Sequence, residues 1–264
     1  MYLGRFILLA ALASVGGVPA LADDADELAK KLSNPIAAMI SVPFQFNGDF
    51  GAGPDGDAES YNLKIQPVIP FSLTPDWTVI SRTIVPVAGN SGLPGGDVWG
   101  LGDTSQSFFF SPTKPGPGGL IWGVGPAFLL PTATDTRLGS GKWGAGPTAV
   151  VLKQEGPLTV GMLASHTWSF AGASDRADVS STFLQPFVAY SLGSGQTLSL
   201  NTETTYDWTG KQWTVPINVG YSKVFKVGEQ AMSWQVGARY YAEGPENGPQ
   251  WGIRTGITFL FPER

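Results

Sequence analysis

The segment Trp251-Gly252-Ile253-Arg254-Thr255-Gly256-Ile257-Thr258-Phe259-Leu260-Phe261 decides the fold. Trp251, Ile253, Thr255, Ile257, Phe259 and Phe261 share one parity, and Gly252, Arg254, Gly256 and Thr258 the other. Period two is the mark of a β-strand with two different faces. The preceding segment repeats it, with Met232, Trp234, Val236, Ala238 and Tyr240 set against Ser233, Gln235, Gly237, Arg239 and Tyr241. Further upstream, Leu198, Leu200, Tyr206 and Trp208 oppose Ser199, Asn201, Glu203 and Asp207. Likewise Tyr61, Leu63, Ile65, Ile69 and Phe71 oppose Asn62, Lys64, Gln66 and Ser72.

Twelve such segments fill residues 36–261, and their connections alternate long and short, apart from a short one at 209–211. Bacterial outer-membrane barrels have short periplasmic turns and longer external loops. The pattern predicts an all-β fold: a closed antiparallel transmembrane β-barrel of about 12 strands, with a short N-terminal periplasmic helix. A water-soluble barrel would turn the same faces inside out. Against that stand the tryptophans, which crowd strand ends as in interfacial girdles. Trp99, Trp143, Trp168, Trp208, Trp213 and Trp251 lie beside external connections, and Trp77 and Trp122 beside short ones.

Three parts are expected along the chain. Residues 1–22 read as a signal peptide, with Arg5, an apolar stretch over 6–15 and Ala20-Leu21-Ala22 before the cleavage point. Residues 23–35 read as a periplasmic helical segment, stopped by Asn34-Pro35; a docked plug and a fraying tail are both compatible with it. Residues 36–264 form the barrel. Charged residues make up only 14% of the chain, where soluble domains have roughly 25%. The net charge of −5 excludes a basic nucleic-acid surface, and the absence of cysteine excludes disulfides and thiolate metal sites. No metal cluster, phosphate loop or serine elbow is recognisable, and no cofactor is implied.

Parity assigns a lumen lined by Gln45, Lys64, Gln66, Arg82, Asp103, Asn201, Glu203, Asp207, Gln235, Arg239 and Arg254. Its four bases and three acids nearly cancel and are expected to pair, because unpaired charges at low dielectric are costly. Barrels of eight strands are packed shut and those of 16 hold aqueous channels. Twelve strands imply a narrow or obstructed path for small solutes. The external connections hold Asp49, Asp55, Asp57, Glu59, Asp97, Asp135, Asp175, Asp178, Glu243 and Glu246 against Arg137, Lys142, Arg176 and Lys211. Such a rim either concentrates cations or binds divalent ions that bridge to lipid and lipopolysaccharide headgroups.

Two features strain this reading. Pro43, Pro67, Pro70, Pro86, Pro126, Pro147, Pro186 and Pro216 fall inside strands, where a missing N–H breaks the ladder; a belt of bulges or kinks is expected. Phe109, Phe183 and Phe187 share parity with polar residues, so a bulge in each of their strands would be needed to turn them to lipid. An enzyme is not predicted. Barrel phospholipases use a His-x-Ser pair, whereas the only histidine, His166, has Trp168 at that position.

The runs at 33–51, 66–73, 100–112, 122–135, 142–156, 201–208 and 252–262, among them QPVIPFSL, WGVGPAFLLPTATD and GIRTGITFLFP, resemble the phenol-degradation MetA-pathway group. Its Gram-negative members are often labelled transporter or neuromedin U. The resemblance implies an outer-membrane barrel admitting small solutes, among them aromatic or hydrophobic compounds. A non-conducting structural or surface-interaction barrel is the main alternative, and a lipid-active outer-membrane enzyme the third. The last strand is also similar to the C-terminal signal read by the outer-membrane assembly machinery, carried here by Gly256, Phe259 and Phe261.

Overall fold

A computed structural model describes residues 19–93 and 95–261. The chain makes twelve strands: β1 (Ile40–Ala52), β2 (Ala58–Ile65 and Val68–Thr74), β3 (Trp77–Ser91), β4 (Val98–Leu101 and Thr104–Pro112), β5 (Leu120–Leu130) and β6 (Lys142–Glu155). They continue as β7 (Leu158–Gly172), β8 (Ser180–Gly193), β9 (Gln196–Thr202 and Thr204–Asp207), β10 (Gln212–Val227), β11 (Gln230–Glu243) and β12 (Trp251–Phe261). Each strand pairs antiparallel with the next. The register from Ile40↔Phe261 to Phe50↔Trp251 joins β1 to β12 and closes the barrel, leaving no open edge.

The two faces are inverted relative to a soluble protein. On β12, Ile253 is 47% exposed and Arg254 only 9%; on β11, Tyr240 is 63% exposed and Arg239 8%. An exposed apolar wall around a charged interior is stable only when hydrocarbon bathes the outside. Aromatic pairs ring the external end, including Phe50 with Trp251 at 4.7 Å, Tyr206 with Trp213 at 4.6 Å and Tyr61 stacked on Trp99 at 5.7 Å. At the opposite end Trp77 meets Trp122 edge-on at 5.9 Å.

The strand count survives the prolines, and the breaks they cause are local. β2 is interrupted at Gln66-Pro67. β4 is interrupted where Gly102 N donates to Pro86 O at 2.9 Å, and β9 where Glu203 N reaches Pro216 O at 3.3 Å. Every interruption thus lies at a proline or across from one. Pro126 and Pro147 face each other between β5 and β6, and the bridges to β4 and β7 lapse beside them with the register unchanged on either side. There the Phe108 and His166 carbonyls press on the α-carbons of Gly125 and Gly146, where any Cβ would overlap them. Only glycine lets the neighbouring strand's carbonyl come this close beside each proline, which accounts for the Gly-Pro dipeptides.

α1 (Pro19–Leu32) begins four residues before the expected mature start; the rest of the proposed signal lies outside the described residues. Ala25, Leu28, Ala29 and Leu32 form one apolar stripe at helical spacing. Glu27 pairs with Lys31 at 2.7 Å, and Lys30 and Lys31 suit the negative end of the helix dipole. The stripe packs inside the periplasmic mouth against Met39, Val224, Ala231 and Leu260, so the segment is a plug and not a fraying tail. Asp26 accepts a hydrogen bond from Gly195 N, and Gln154 Nε2 donates to Lys30 O at 2.9 Å. Gly195, at φ +73°, leaves room for Ala25 that a side chain would fill. The first strand was expected from Ile36 but starts at Ile40. Asn34-Pro35 turns the chain, and Ile36 and Met39 are buried in the lumen instead of entering the ladder.

Candidate permeation pathway

Beyond the apolar seat of α1 at the periplasmic mouth, the interior wall is divided lengthwise. β9, β10, β11, β12, β1 and β2 present Glu203, Asn218, Arg239, Arg254, Asn47, Asp49 and Lys64 to the lumen. β3, β4, β6, β7 and β8 present Ile80, Phe109, Val150, Leu152, Leu163, Phe183 and Phe187, joined by Ile36 from the linker. The expected bulges at Phe109, Phe183 and Phe187 are absent. These rings point inward because they pack on one another and on Ile36, and Phe109 is the largest fully buried side chain.

On the polar half-wall, strict alternation carries Gln45, Asn47 and Asp49 inward on β1, Arg239 on β11 and Arg254 on β12. Arg239 is saturated. Nε donates to Asn218 Oδ1 at 2.8 Å, Nη1 to both Asp49 oxygens at 3.2 Å, and Nη2 to Asn47 Oδ1 at 3.1 Å and Glu203 Oε2 at 3.2 Å. Arg254 Nε donates to Asn47 Oδ1 at 2.7 Å; its Nη2 lies 2.8 Å from Glu203 Oε1, as an ion pair without hydrogen-bond alignment. Glu203, freed at the break in β9, also comes within 3.7 Å of Lys64 Nζ on β2, nearly opposite in the ring of strands. This contact crosses the lumen. Breaking one partner of such a buried pair costs about 3–5 kcal/mol.

The remaining lumen candidates lie elsewhere. Arg82 Nη2 donates to Gln66 Oε1 at 3.2 Å. Gln235 Nε2 approaches Gln45 Oε1 at 3.4 Å, and Asn218 Nδ2 donates to Asn201 Oδ1 at 3.0 Å. Asp207 sits at the external rim, accepting from Thr209 N at 2.9 Å. Asp103 does not join the charged cluster. Its carboxylate accepts from Ser140 N and Oγ at 2.6 and 2.7 Å and from Ala133 N at 3.3 Å, anchoring the 131–141 loop over the break in β4.

Asp49, counted among external residues from sequence, is instead the buried partner of Arg239. Its signal was the unbroken alternation after Gln45 and Asn47. The near-cancelling charge expected of the lumen is therefore corrected: Lys64, Arg82, Arg239 and Arg254 face only Asp49 and Glu203. Glu59 also lies within a strand, and Lys142 is buried against Asp178 at 3.0 Å.

External loops are tied together across the mouth. Arg137 Nη1 donates to Gly95 O at 3.0 Å, and Arg176 Nη2 to Thr136 O at 2.8 Å. Asp135 is chelated by Arg137 through Nε and Nη2, each at 3.0 Å, which lowers its pKa to about 2. His166 faces outward in the aromatic belt, its Nδ1 2.7 Å from Thr182 Oγ1 and its ring 4.0 Å from Trp168. On the last strand, Gly256 lies under the Phe44 carbonyl, Phe259 packs edge-on against Phe44 at 6.0 Å and Phe261 is exposed outward.

No protein-family model and no curated protein matches the chain. Among solved structures it is similar to an outer membrane channel from Pseudomonas putida F1, at 17% identity and a TM-score of 0.65, over 85% of this chain and 96% of that one. It is also similar to outer membrane phospholipase A from Escherichia coli, at 10% identity and a TM-score of 0.52, over 89% and 97%. The shared feature is the fold of an outer-membrane β-barrel.

Proposed function

We propose that the protein is a passive outer-membrane channel for small solutes, exported by a signal peptide and inserted by the outer-membrane assembly machinery. The observation that carries the reading is the closed barrel whose polar and charged side chains line an enclosed lumen while its apolar ones face lipid. Similarity to an outer membrane channel supports it. The Glu203–Lys64 crossing and the docked α1 make the route narrow. The helix is held by its apolar stripe and a few polar contacts, and its departure is the opening step in this reading. The resemblance to the phenol-degradation group extends the proposal to compact aromatic compounds. The acidic external rim is read as a site for divalent bridging to lipopolysaccharide.

The obstruction itself favours a second reading, a non-conducting structural barrel. The phospholipase-like fold keeps a lipase assay necessary. Liposome swelling with sugars, amino acids and phenols, set beside that assay, separates the three. Swelling without lipase activity is expected. Absence of swelling and of single-channel current, with the helix present and with residues 24–33 deleted, would overturn the channel.

A further inference from the structure

The lumen contains a guanidinium that the charged cluster leaves over. Arg82 reaches only Gln66 Oε1, at 3.2 Å, and no carboxylate lies within 4 Å of it among the described residues. It lines a cavity of about 290 Å³ on the periplasmic side of the Glu203–Lys64 crossing, bounded below by Leu32 and Asn34. That volume lies near the lower end of the roughly 300–1,000 Å³ of small-molecule pockets, room for one compact solute. Amides from Gln45, Gln66 and Gln235 line it, together with Val68, the cross-strand neighbour of Arg82, and Phe187 of the apolar half-wall. A cation with no carboxylate in contact, in a confined space, is costly unless an anion or water completes it. On the barrel wall around the charged cluster, Lys64, Arg82, Arg239 and Arg254 outnumber Asp49 and Glu203 by two, which favours an anion beside Arg82.

We infer that this chamber is a binding site for a small organic anion. Its ligand is a monocarboxylate with a compact apolar body. The carboxylate lies on the Arg82 guanidinium, whose planar fork matches two oxygens at once, and the body lies against Phe187 and Val68. The amides supply weaker, neutral hydrogen bonds. The inference rests on the channel reading only for the route by which the solute arrives and leaves.

The test is equilibrium dialysis of labelled benzoate, with benzamide as the neutral isostere, against the full chain folded in detergent. One saturable benzoate site is expected, with benzamide at least tenfold weaker, because only the carboxylate pairs charge to charge with the guanidinium. Arg82→Gln, checked for heat-modifiable folding, should weaken benzoate by about tenfold or more and leave benzamide unchanged. Equal binding of the two compounds by the wild type would overturn the site without any variant being needed. So would Arg82→Gln binding benzoate like the wild type. Saturable benzoate binding by a protein that passes no current would sink the channel and keep the site. Current through a protein blind to the benzoate charge would do the reverse.

Discussion

The two half-walls of the lumen solve one problem in opposite ways. From β9 round to β2, beyond the apolar seat of α1, the buried groups are charged or polar and most donors are matched, with Arg239 engaged by Asp49, Asn47, Asn218 and Glu203. From β3 to β8 the inward side chains are mostly apolar, and Ile80, Phe109, Leu152 and Leu163 cohere by packing alone. A wall of paired charges is stiff, because removing any member strands another. A wall of hydrocarbon yields more easily to substitution. Arg82, on β3 and without a carboxylate in contact, belongs to neither solution and is the group left to act on solutes.

Breaking the polar half should have the largest effect. Arg239→Ala leaves Glu203 and Asp49 short of a partner and is expected to destabilise the barrel by about 3–5 kcal/mol, read from urea unfolding in detergent. A loss under 1 kcal/mol would mean that water screens the cluster. Next, Leu28→Ala should weaken docking of α1 by about 2–5 kcal/mol, raising single-channel current while the barrel's own melting stays put. Unchanged current would deny the helix a gating role. Gly125→Ala, whose new methyl meets the Phe108 carbonyl, should cost about 1–3 kcal/mol and lower the folded fraction. Gly244→Ala, with open space around it, is the control and should be neutral. Ile80→Val samples the apolar half and should cost only about 0.5–1.5 kcal/mol.

The smallest effect concerns the loops. Asp135 has its pKa lowered to about 2 from 3.8 by its hydrogen bonds to Arg137, so the clamp is fully present above the ordinary carboxylate range. It is lost as pH falls through the lowered value. Protease protection of the 131–141 loop should therefore hold from neutral pH to about 4 and decline between 4 and 2. A decline centred near neutrality would assign the protection to another group.

Much of this was legible in the chain because strand parity is a local property. Alternation in Trp251–Phe261 and Gln230–Glu243 put Arg254 and Arg239 inside before any partner was known, and loop spacing supplied strand number and direction. Asp49 was misplaced because an acid beside glycines at a strand end looks like loop, although its parity with Asn47 already pointed inward. Phe109, Phe183 and Phe187 could not be read, since an aromatic ring suits lipid and lumen equally. Only the arrival of Ile36 from a distant linker gives them an interior to fill. A helical segment over 23–35 was legible but not its seat, which depends on Gly195, Val224 and Leu260 from three other places in the sequence. The prolines marked where strands break; only the pairing of β5 with β6 showed that glycine makes the breaks tolerable.

The absence of cysteine gives a direct test of the inverted barrel. Single cysteines at Ser199, Ser222 and Gln235, and at Leu200, Val219 and Val236, would be probed in lipid vesicles with a small water-soluble thiol reagent and a lipid-phase quencher. The first three should react from water and escape the quencher, and the second three should show the opposite. Reversed labelling, or six positions behaving alike, would contradict a polar interior walled off from the bilayer.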